Sequence, residues 1–263
     1  MIEWISFAII GIFAGLSAGL LGLGGGLISV PALLYVFKFM GMPSSHLMHI
    51  AVSTSLMAIV VTSFSSLIAH HRRQNVDWPV MRELSIGLVI GGFLGAYSAT
   101  LFSSEILQRI FAVYAFLMSI RLWSSVPKLT QSATLLTQPT MLISGTIFGS
   151  ISTIVGMGGG TMIVPYLLIA GKTIQRAIGT SAACAFPIAI AGVLGFVLYG
   201  EKLETENLWQ MGYVNWQAFL GLISTSILFA PVGAKWAEKL PMKLLEKLFS
   251  LVLMAVSASL FFG

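Results

Sequence analysis

Charge and cysteine are both scarce in this chain. Only 9% of its 263 residues are Asp, Glu, Lys or Arg, where soluble domains carry about a quarter. A soluble protein this poor in charge would have little to present to water, so most of its surface must face lipid. One cysteine, Cys184, excludes an internal disulfide. The nine carboxylates (Glu3, Asp77, Glu83, Glu105, Glu201, Glu204, Glu206, Glu238, Glu246) all fall in or beside loops, and no Lys or Arg sits mid-stretch in an apolar segment. A cation carrier or proton pump normally keeps an acid at the membrane midplane, which argues against a cation as the substrate. Clustered Lys/Arg with aromatic platforms is missing, which excludes nucleic acid as a partner. No Cys or carboxylate stands near the histidines at metal-ligand spacing, so no metal or other cofactor is expected. An intramembrane nucleophile with its base is missing too, so the chain reads as no enzyme. The opening Met-Ile-Glu-Trp has no basic stretch of the signal-peptide kind and leads straight into an apolar segment, read as a membrane segment in its own right.

What the sequence has is apolar length. Hydrophobic residues make up 57% and the mean hydropathy is +0.93. Eight apolar blocks follow one another, at 5–37, 47–69, 80–101, 106–123, 139–170, 177–200, 212–234 and 242–262. A spanning helix needs about 20 apolar residues. Six blocks fit one crossing, whereas 5–37 and 139–170 are too long for one and too short for two, and both are broken by glycine. Each predicts a helix followed by a half-helix or re-entrant piece, whose irregular backbone must be buried in protein or line a cavity.

The two halves repeat. Gly15, Gly22, Gly24, Gly25, Gly26 and Pro31 return 134 positions later as Gly149, Gly156, Gly158, Gly159, Gly160 and Pro165. Ala51-Val52-Ser53-Thr54-Ser55 is answered after 126 positions by Ala177-Ile178-Gly179-Thr180-Ser181, and Val76-Asp77-Trp78 after 138 by Val214-Asn215-Trp216. Gly95-Ala96 likewise matches Gly233-Ala234. Four matches in one order make this a single all-α, polytopic membrane domain of two repeats, 1–128 and 139–263, joined by a linker at 129–138.

Loop charge sets the topology. If each block crosses once, Lys and Arg divide six against eight between the two sides. If 5–37 and 139–170 each begin and end on one side, Arg72, Arg73, Arg82, Arg121, Lys128, Lys172, Arg176, Lys235, Lys239, Lys243 and Lys247 face Lys38, Arg109 and Lys202, eleven against three. The second division obeys the positive-inside rule. It makes the repeats inverted and puts both termini outside.

Inverted repeats with interrupted helices are secondary-transporter architecture, with substrate near the midplane. The runs Gly24, Gly25, Gly26 and Gly158, Gly159, Gly160 expose backbone N–H groups ahead of a helix N-terminus, an arrangement suited to anions. Ser53, Thr54, Ser55, Thr161, Thr180 and Ser181 supply hydroxyl donors to the same oxygens. Three glycines in a row cost helix stability, about 1 kcal/mol each, which favours a site over packing. Gly87, Gly91 and Gly95 instead have the small-xxx-small spacing of helix packing. The two triple-glycine runs do not match a Gly-x-Gly-x-x-Gly fingerprint, because Leu27 and Thr161 hold its last position. His46 and His49, three apart, are interfacial histidines or proton-coupling groups, and Cys184 is a buried inert thiol.

Gly-Leu-Gly-Gly-Gly-x-x-x-x-Pro at 22–31, Gly-Met-Gly-Gly-Gly-x-x-x-x-Pro at 156–165, Val-Ser-Thr-Ser, Ile-Gly-Thr-Ser and His-Arg-Arg-x-Asn-Val-Asp-Trp at 71–78 resemble the sulfite exporter TauE/SafE family of membrane permeases. The resemblance runs nearly the whole chain. It implies a bacterial or archaeal inner-membrane transporter of a small sulfur-containing anion: sulfite, thiosulfate, sulfoacetate or a related sulfonate. Thiosulfate-uptake relatives use several cysteines, whereas this chain has Cys184 and, at the matching position of the first repeat, Ala58. Sulfite or an organosulfonate therefore fits better than thiosulfate. A permease or channel for another small anion is the alternative, and a membrane-embedded enzyme a remote one.

Overall fold

A computed structural model describes residues 2–21, 25–42, 44–124, 136–200, 210–239 and 242–262. Gly22–Gly24, Lys128, the acidic residues Glu201, Glu204 and Glu206, and Lys202 lie outside them. The described residues form ten α-helices and one short strand pair. The first half contains α1 (Ile2–Leu21), α2 (Gly26–Phe39), α3 (Leu47–Arg72), α4 (Trp78–Thr100) and α5 (Ser104–Trp123). The second contains α6 (Gln138–Val155), α7 (Gly160–Ile169), α8 (Ile174–Tyr199), α9 (Trp216–Lys239) and α10 (Met242–Phe262), with β1 (Gln210–Met211) and β2 (Val214–Asn215) before α9.

Both over-long apolar blocks are divided at their glycines. α2 has 14 residues and α7 has 10, about 21 and 15 Å at 1.5 Å per residue, too short for the ~30 Å hydrocarbon core. Among the described residues six helices are long and apolar enough to cross a membrane: 3–20, 44–72, 78–100, 104–123, 174–199 and 216–233. Their outward faces carry large apolar side chains such as Ile9, Phe13, Ile86, Leu94 and Leu228, all more than 40% exposed. This is a multi-pass, all-helical membrane protein.

Contacts between helices fix their directions. Phe7 meets Phe37 with ring centroids 6.0 Å apart and Gly25 lies against Ala14, so α2 folds back along α1. Phe148 meets Tyr166 and Gly159 lies against Ser152, so α7 folds back along α6 in the same way. α1 runs parallel to α9, with Glu3 at Gln217, Ala8 at Thr225 and Leu16 at Gly233. α4 runs parallel to α6, with Leu84 at Gly145 and Gly95 at Ser150. Equivalent helices of the two halves meet head to tail: Leu56 packs on Gly192 and Phe64 on Phe186 between α3 and α8. Between α5 and α10, Gln108 bonds the Leu260 carbonyl and Ser250 the Ser119 carbonyl.

Following these directions, the loops at 40–46 and 101–103 and the approach to α9 gather at one end with the described starts and finishes of the chain. The loops at 73–77 and 170–173, the end of α5 and the start of α10 gather at the other, the basic end. There Lys172 Nζ pairs with Asp77 Oδ2 at 2.7 Å, and Lys247 sits over the Trp123 ring.

Glycine lets the long helices approach. A Cβ at Gly91 would lie 2.1 Å from the Thr146 carbonyl oxygen, and one at Gly15 would lie 2.6 Å from that of Ser226. Small residues serve helix contact in lipid in this way, because apolar burial there adds no driving force.

Candidate functional site

The two glycine breaks touch. Gly25 (φ +73°) and Gly159 (φ +75°) cap α2 and α7 in left-handed conformation, which glycine adopts without a Cβ penalty. Gly156 (φ +78°) ends α6 the same way. A Cβ on Gly26 would lie 2.3 Å from the Gly156 carbonyl oxygen and 2.8 Å from Met157 Cα. The start of α2 is therefore seated directly on the backbone of the second break. Each helix start presents first-turn N–H groups that no intrahelical carbonyl can satisfy, with the positive end of its dipole.

Hydroxyls join the breaks. Ser55 Oγ on α3 donates to the Gly156 carbonyl at 3.0 Å and lies 2.7 Å from Ser29 Oγ on α2. With the single Ser55 hydrogen spent on Gly156, Ser29 is the donor to Ser55. Beside this chain is a small cavity whose polar lining is Gly25, Ser29, Ser55, Thr62 and Ser226, the rest being alanine, isoleucine and leucine. It has about 10 Å³ of room for a water centre, the space of one water. A multi-atom anion needs the helices around it to part. Ser226 is 1% exposed, and its Oγ has no hydrogen-bond partner among the described residues. No Asp, Glu, Lys or Arg is among the described residues that line the cavity.

The other residues expected at the site divide. Gly158 and Gly160 are buried at the second break, and Gly24 lies outside the described residues. Thr54 Oγ1 accepts the Asn215 N–H at 3.0 Å, and Asn215 Oδ1 in turn caps α9 by accepting from Ala218 N at 2.9 Å. Thr180 Oγ1 does the equivalent for Asp77 N at 2.9 Å, and Asp77 caps α4 by accepting from Val80 N. Ser53 donates to the Tyr213 carbonyl. Three of the expected hydroxyls thus hold the connections before α4 and α9. Ser181 is buried on α8, its Oγ without a partner among the described residues. His46 and His49 stand away from the breaks, at the start of α3, in ring contact with Tyr213 at 5.5 and 5.0 Å. His49 also bonds the Ala99 carbonyl at 3.0 Å. Cys184 is fully buried in a closed apolar cluster. Among the described residues no group of three His, Cys, Asp or Glu is placed to hold a metal.

Thr161 has partners that its position in the chain does not announce. Its Oγ1 bonds the Tyr114 hydroxyl, and its carbonyl accepts from Arg121. The physical cause is Pro165, four residues on, which has no N–H to give that carbonyl. Arg121 supplies the missing donor from α5. Ser29, Thr62, Ser226, Tyr114 and Arg121 are thus the residues that sequence reasoning missed. Pro165 could have pointed to a donor for the Thr161 carbonyl, but the two serines become neighbours only through packing.

A family model described as "Sulfite exporter TauE/SafE" matches residues 7–260. A probable membrane transporter protein of Haemophilus influenzae is 34% identical over 253 residues, covering 96% of each chain. A probable membrane transporter protein of Methanocaldococcus jannaschii is 27% identical over 249 residues, 93% of this chain and 90% of that one. One from Xylella fastidiosa is 30% identical over 254 residues, 92% and 89% respectively. No solved structure matches this chain.

Proposed function

This chain belongs to the sulfite exporter TauE/SafE family of membrane transporters, and we propose that it carries a small sulfur-containing oxyanion, sulfite or an organosulfonate such as sulfoacetate. The observation that carries the reading is the meeting of two left-handed glycine breaks beside an uncharged, hydroxyl-lined cavity. Backbone N–H groups at helix starts bind oxyanions without a fixed countercharge, and serine hydroxyls add donors of the same kind. A cation would find only carbonyl and hydroxyl oxygens here, with no carboxylate to offset its desolvation. Cys184 supports a sulfite or sulfonate over a thiosulfate relay: it is packed in a closed core, while the matching first-half position, Ala58, lines the cavity.

The mechanism rests on inverted halves. Support comes from the antiparallel meetings of α3 with α8 and α5 with α10, the relation expected of counterparts whose symmetry axis lies in the membrane plane. Of the Lys and Arg in the eleven-to-three division, those among the described residues fall ten against two between the two ends of the bundle as traced above, which supports a cytoplasmic basic end, both termini outside and an inner-membrane location. Rocking of one half against the other opens the cavity to each side in turn.

A thermal-shift screen of detergent-purified protein against sulfite, thiosulfate, sulfoacetate and taurine tests the cargo. A ligand of the native state at 100 times its Kd raises stability by about 2.7 kcal/mol. The expected result is a shift with sulfite or sulfoacetate. A shift with taurine or thiosulfate alone, or none at millimolar concentrations, overturns the substrate reading.

A further inference from the structure

The two halves repeat in sequence, yet their glycine breaks are not built alike. We infer that the oxyanion binds only at the break of the first half, with the Ser226 hydroxyl as a direct ligand, and that the second break is its closed structural mirror. The inference rests on the transport reading for its ligand but not for its geometry.

The repeat offsets give each lining residue of the cavity a counterpart. Ser29 becomes Ile163, Thr62 becomes Ile188, Ser226 becomes Leu88, Ala58 becomes Cys184 and Ala14 becomes Phe148, whereas Ser55 remains a serine at Ser181, Ala18 becomes Ser152 and Ile59 becomes Ala185. Leu88, Ile163, Cys184 and Ile188 are all 0% exposed and belong to one apolar cluster, with Phe148 packed against it. Three hydroxyl positions of the first half, 29, 62 and 226, thus carry branched side-chain carbon in the second, while Ser152 and Ser181 keep hydroxyls there.

Two further asymmetries agree. A Cβ at Gly159 would already meet Ile188 Cδ1 at 2.8 Å and Ile163 Cδ1 at 3.1 Å, so side chains crowd the second break. At Gly25 a Cβ would come as close, 2.8 Å from the Ala14 carbonyl oxygen, but the neighbours there are the Ala14 backbone and its methyl rather than branched side chains. The start of α7 is also braced, with Thr161 tied to Tyr114 and Arg121. Its counterpart Leu27 has no hydroxyl to tie.

Ser226 is the donor left for a ligand. The Ser55 hydrogen goes to Gly156 and that of Ser29 to Ser55, while Thr62 Oγ1 donates to the Ala58 carbonyl at 3.1 Å. Ser226 lines the cavity, is buried and has no partner among the described residues. The α2 N-terminus enters the same cavity through Gly25. Ser152 and Ser181 are also buried without partners among the described residues. Neither of them is among the residues that line the cavity.

Two measurements separate this inference from the cargo assignment. In a Cys184→Ala background, Ser226→Cys and Leu88→Cys are treated with a small anionic methanethiosulfonate carrying a sulfonate group, in proteoliposomes. Modification of Ser226→Cys at least tenfold faster than Leu88→Cys is expected. Equal rates, or no reaction at position 226, overturn the one-sided site whatever the cargo. Sulfite and sulfoacetate binding is then measured by calorimetry on purified variants. Ser226→Ala is expected to weaken binding by about 10- to 100-fold, the loss of one hydrogen bond to a charged group, with recovery in Ser226→Thr. Ser226→Leu, which copies Leu88, abolishes binding, and Ser181→Ala stays within twofold of the parent. Losses in Ser181→Ala equal to those in Ser226→Ala overturn the inference. Selective labelling at 226 without binding of either probe overturns the cargo and leaves the one-sided site standing.

Discussion

Gly26→Ala separates contact between the two breaks from mere proximity by the sign of its effect. Gly26 is the first residue of α2 and its φ lies outside the left-handed range, so an added methyl brings no backbone strain. If nothing faced it, alanine would stabilise the helix by up to about 1 kcal/mol relative to glycine. The methyl would instead stand 2.3 Å from the Gly156 carbonyl oxygen, where ordinary contact begins at 3.4 Å. The two backbones would have to part by about 1 Å, and neither partner is a flexible side-chain tip. Overpacking of this kind costs about 1–3 kcal/mol, enough to reverse the propensity gain. The same displacement stretches the 3.0 Å Ser55–Gly156 bond beyond hydrogen-bond range, a further loss of about 1 kcal/mol. The net expectation is a destabilisation of about 1–3 kcal/mol together with weakened transport. Intrinsic-fluorescence unfolding in detergent and uptake in proteoliposomes at matched protein read the two effects. A variant as stable as the parent or more so, with normal uptake, would show that the breaks are not seated on each other.

Further outcomes follow from the same geometry. Arg73→Cys and Lys239→Cys, each in a Cys184→Ala background, should both react with a membrane-impermeant maleimide from the cytoplasmic face; labelling from opposite faces would end the inverted arrangement. Thr54→Val and Thr180→Val should each lower stability by about 1 kcal/mol or somewhat more, since a buried N–H of Asn215 or Asp77 loses its acceptor, with sulfite affinity nearly unchanged; a large affinity loss without a stability loss would return these hydroxyls to the ligand set. Arg121→Met should destabilise the parent by about 1–3 kcal/mol through the orphaned Thr161 carbonyl, and by clearly less in a Pro165→Ala background, where the helix supplies its own N–H. Additive losses in that double-mutant cycle would mean that Arg121 acts elsewhere.

The glycine breaks were legible because a run of glycines interrupting an apolar stretch has few physical explanations. One of them, left-handed backbone at Gly25, Gly156 and Gly159, is what the structure has. The fold-back of α2 and α7 was legible from loop charge, since only that arrangement separates the basic loops from the rest. Thr54 and Thr180 were harder. A hydroxyl beside a candidate site reads the same whether it meets a ligand or a backbone N–H, and the connections before α4 and α9 took both. Ser29 and Ser226 lie 197 positions apart, and only the packing of α2 and α9 about α1 and α3 brings them to one cavity. Arg121 ends its helix near a loop, so its position suggests solvent. A long stem carries the guanidinium back along apolar surface to the carbonyl that Pro165 left open. The sequence repeat put candidate residues at both breaks, and nothing in it marked Leu88, Ile163 and Ile188, whose joint burial in one apolar cluster appears only in the packing.

If a sulfur oxyanion crosses the membrane through the junction of the two breaks, counterflow of radiolabelled sulfite in proteoliposomes is its direct signature. Vesicles preloaded with unlabelled sulfite and containing the parent protein should accumulate label transiently above empty vesicles. Gly25→Leu, reconstituted to the same level, should not, because its side chain would occupy the cavity. Counterflow by Gly25→Leu equal to that of the parent, or a parent signal no greater than that of empty vesicles, would contradict the account.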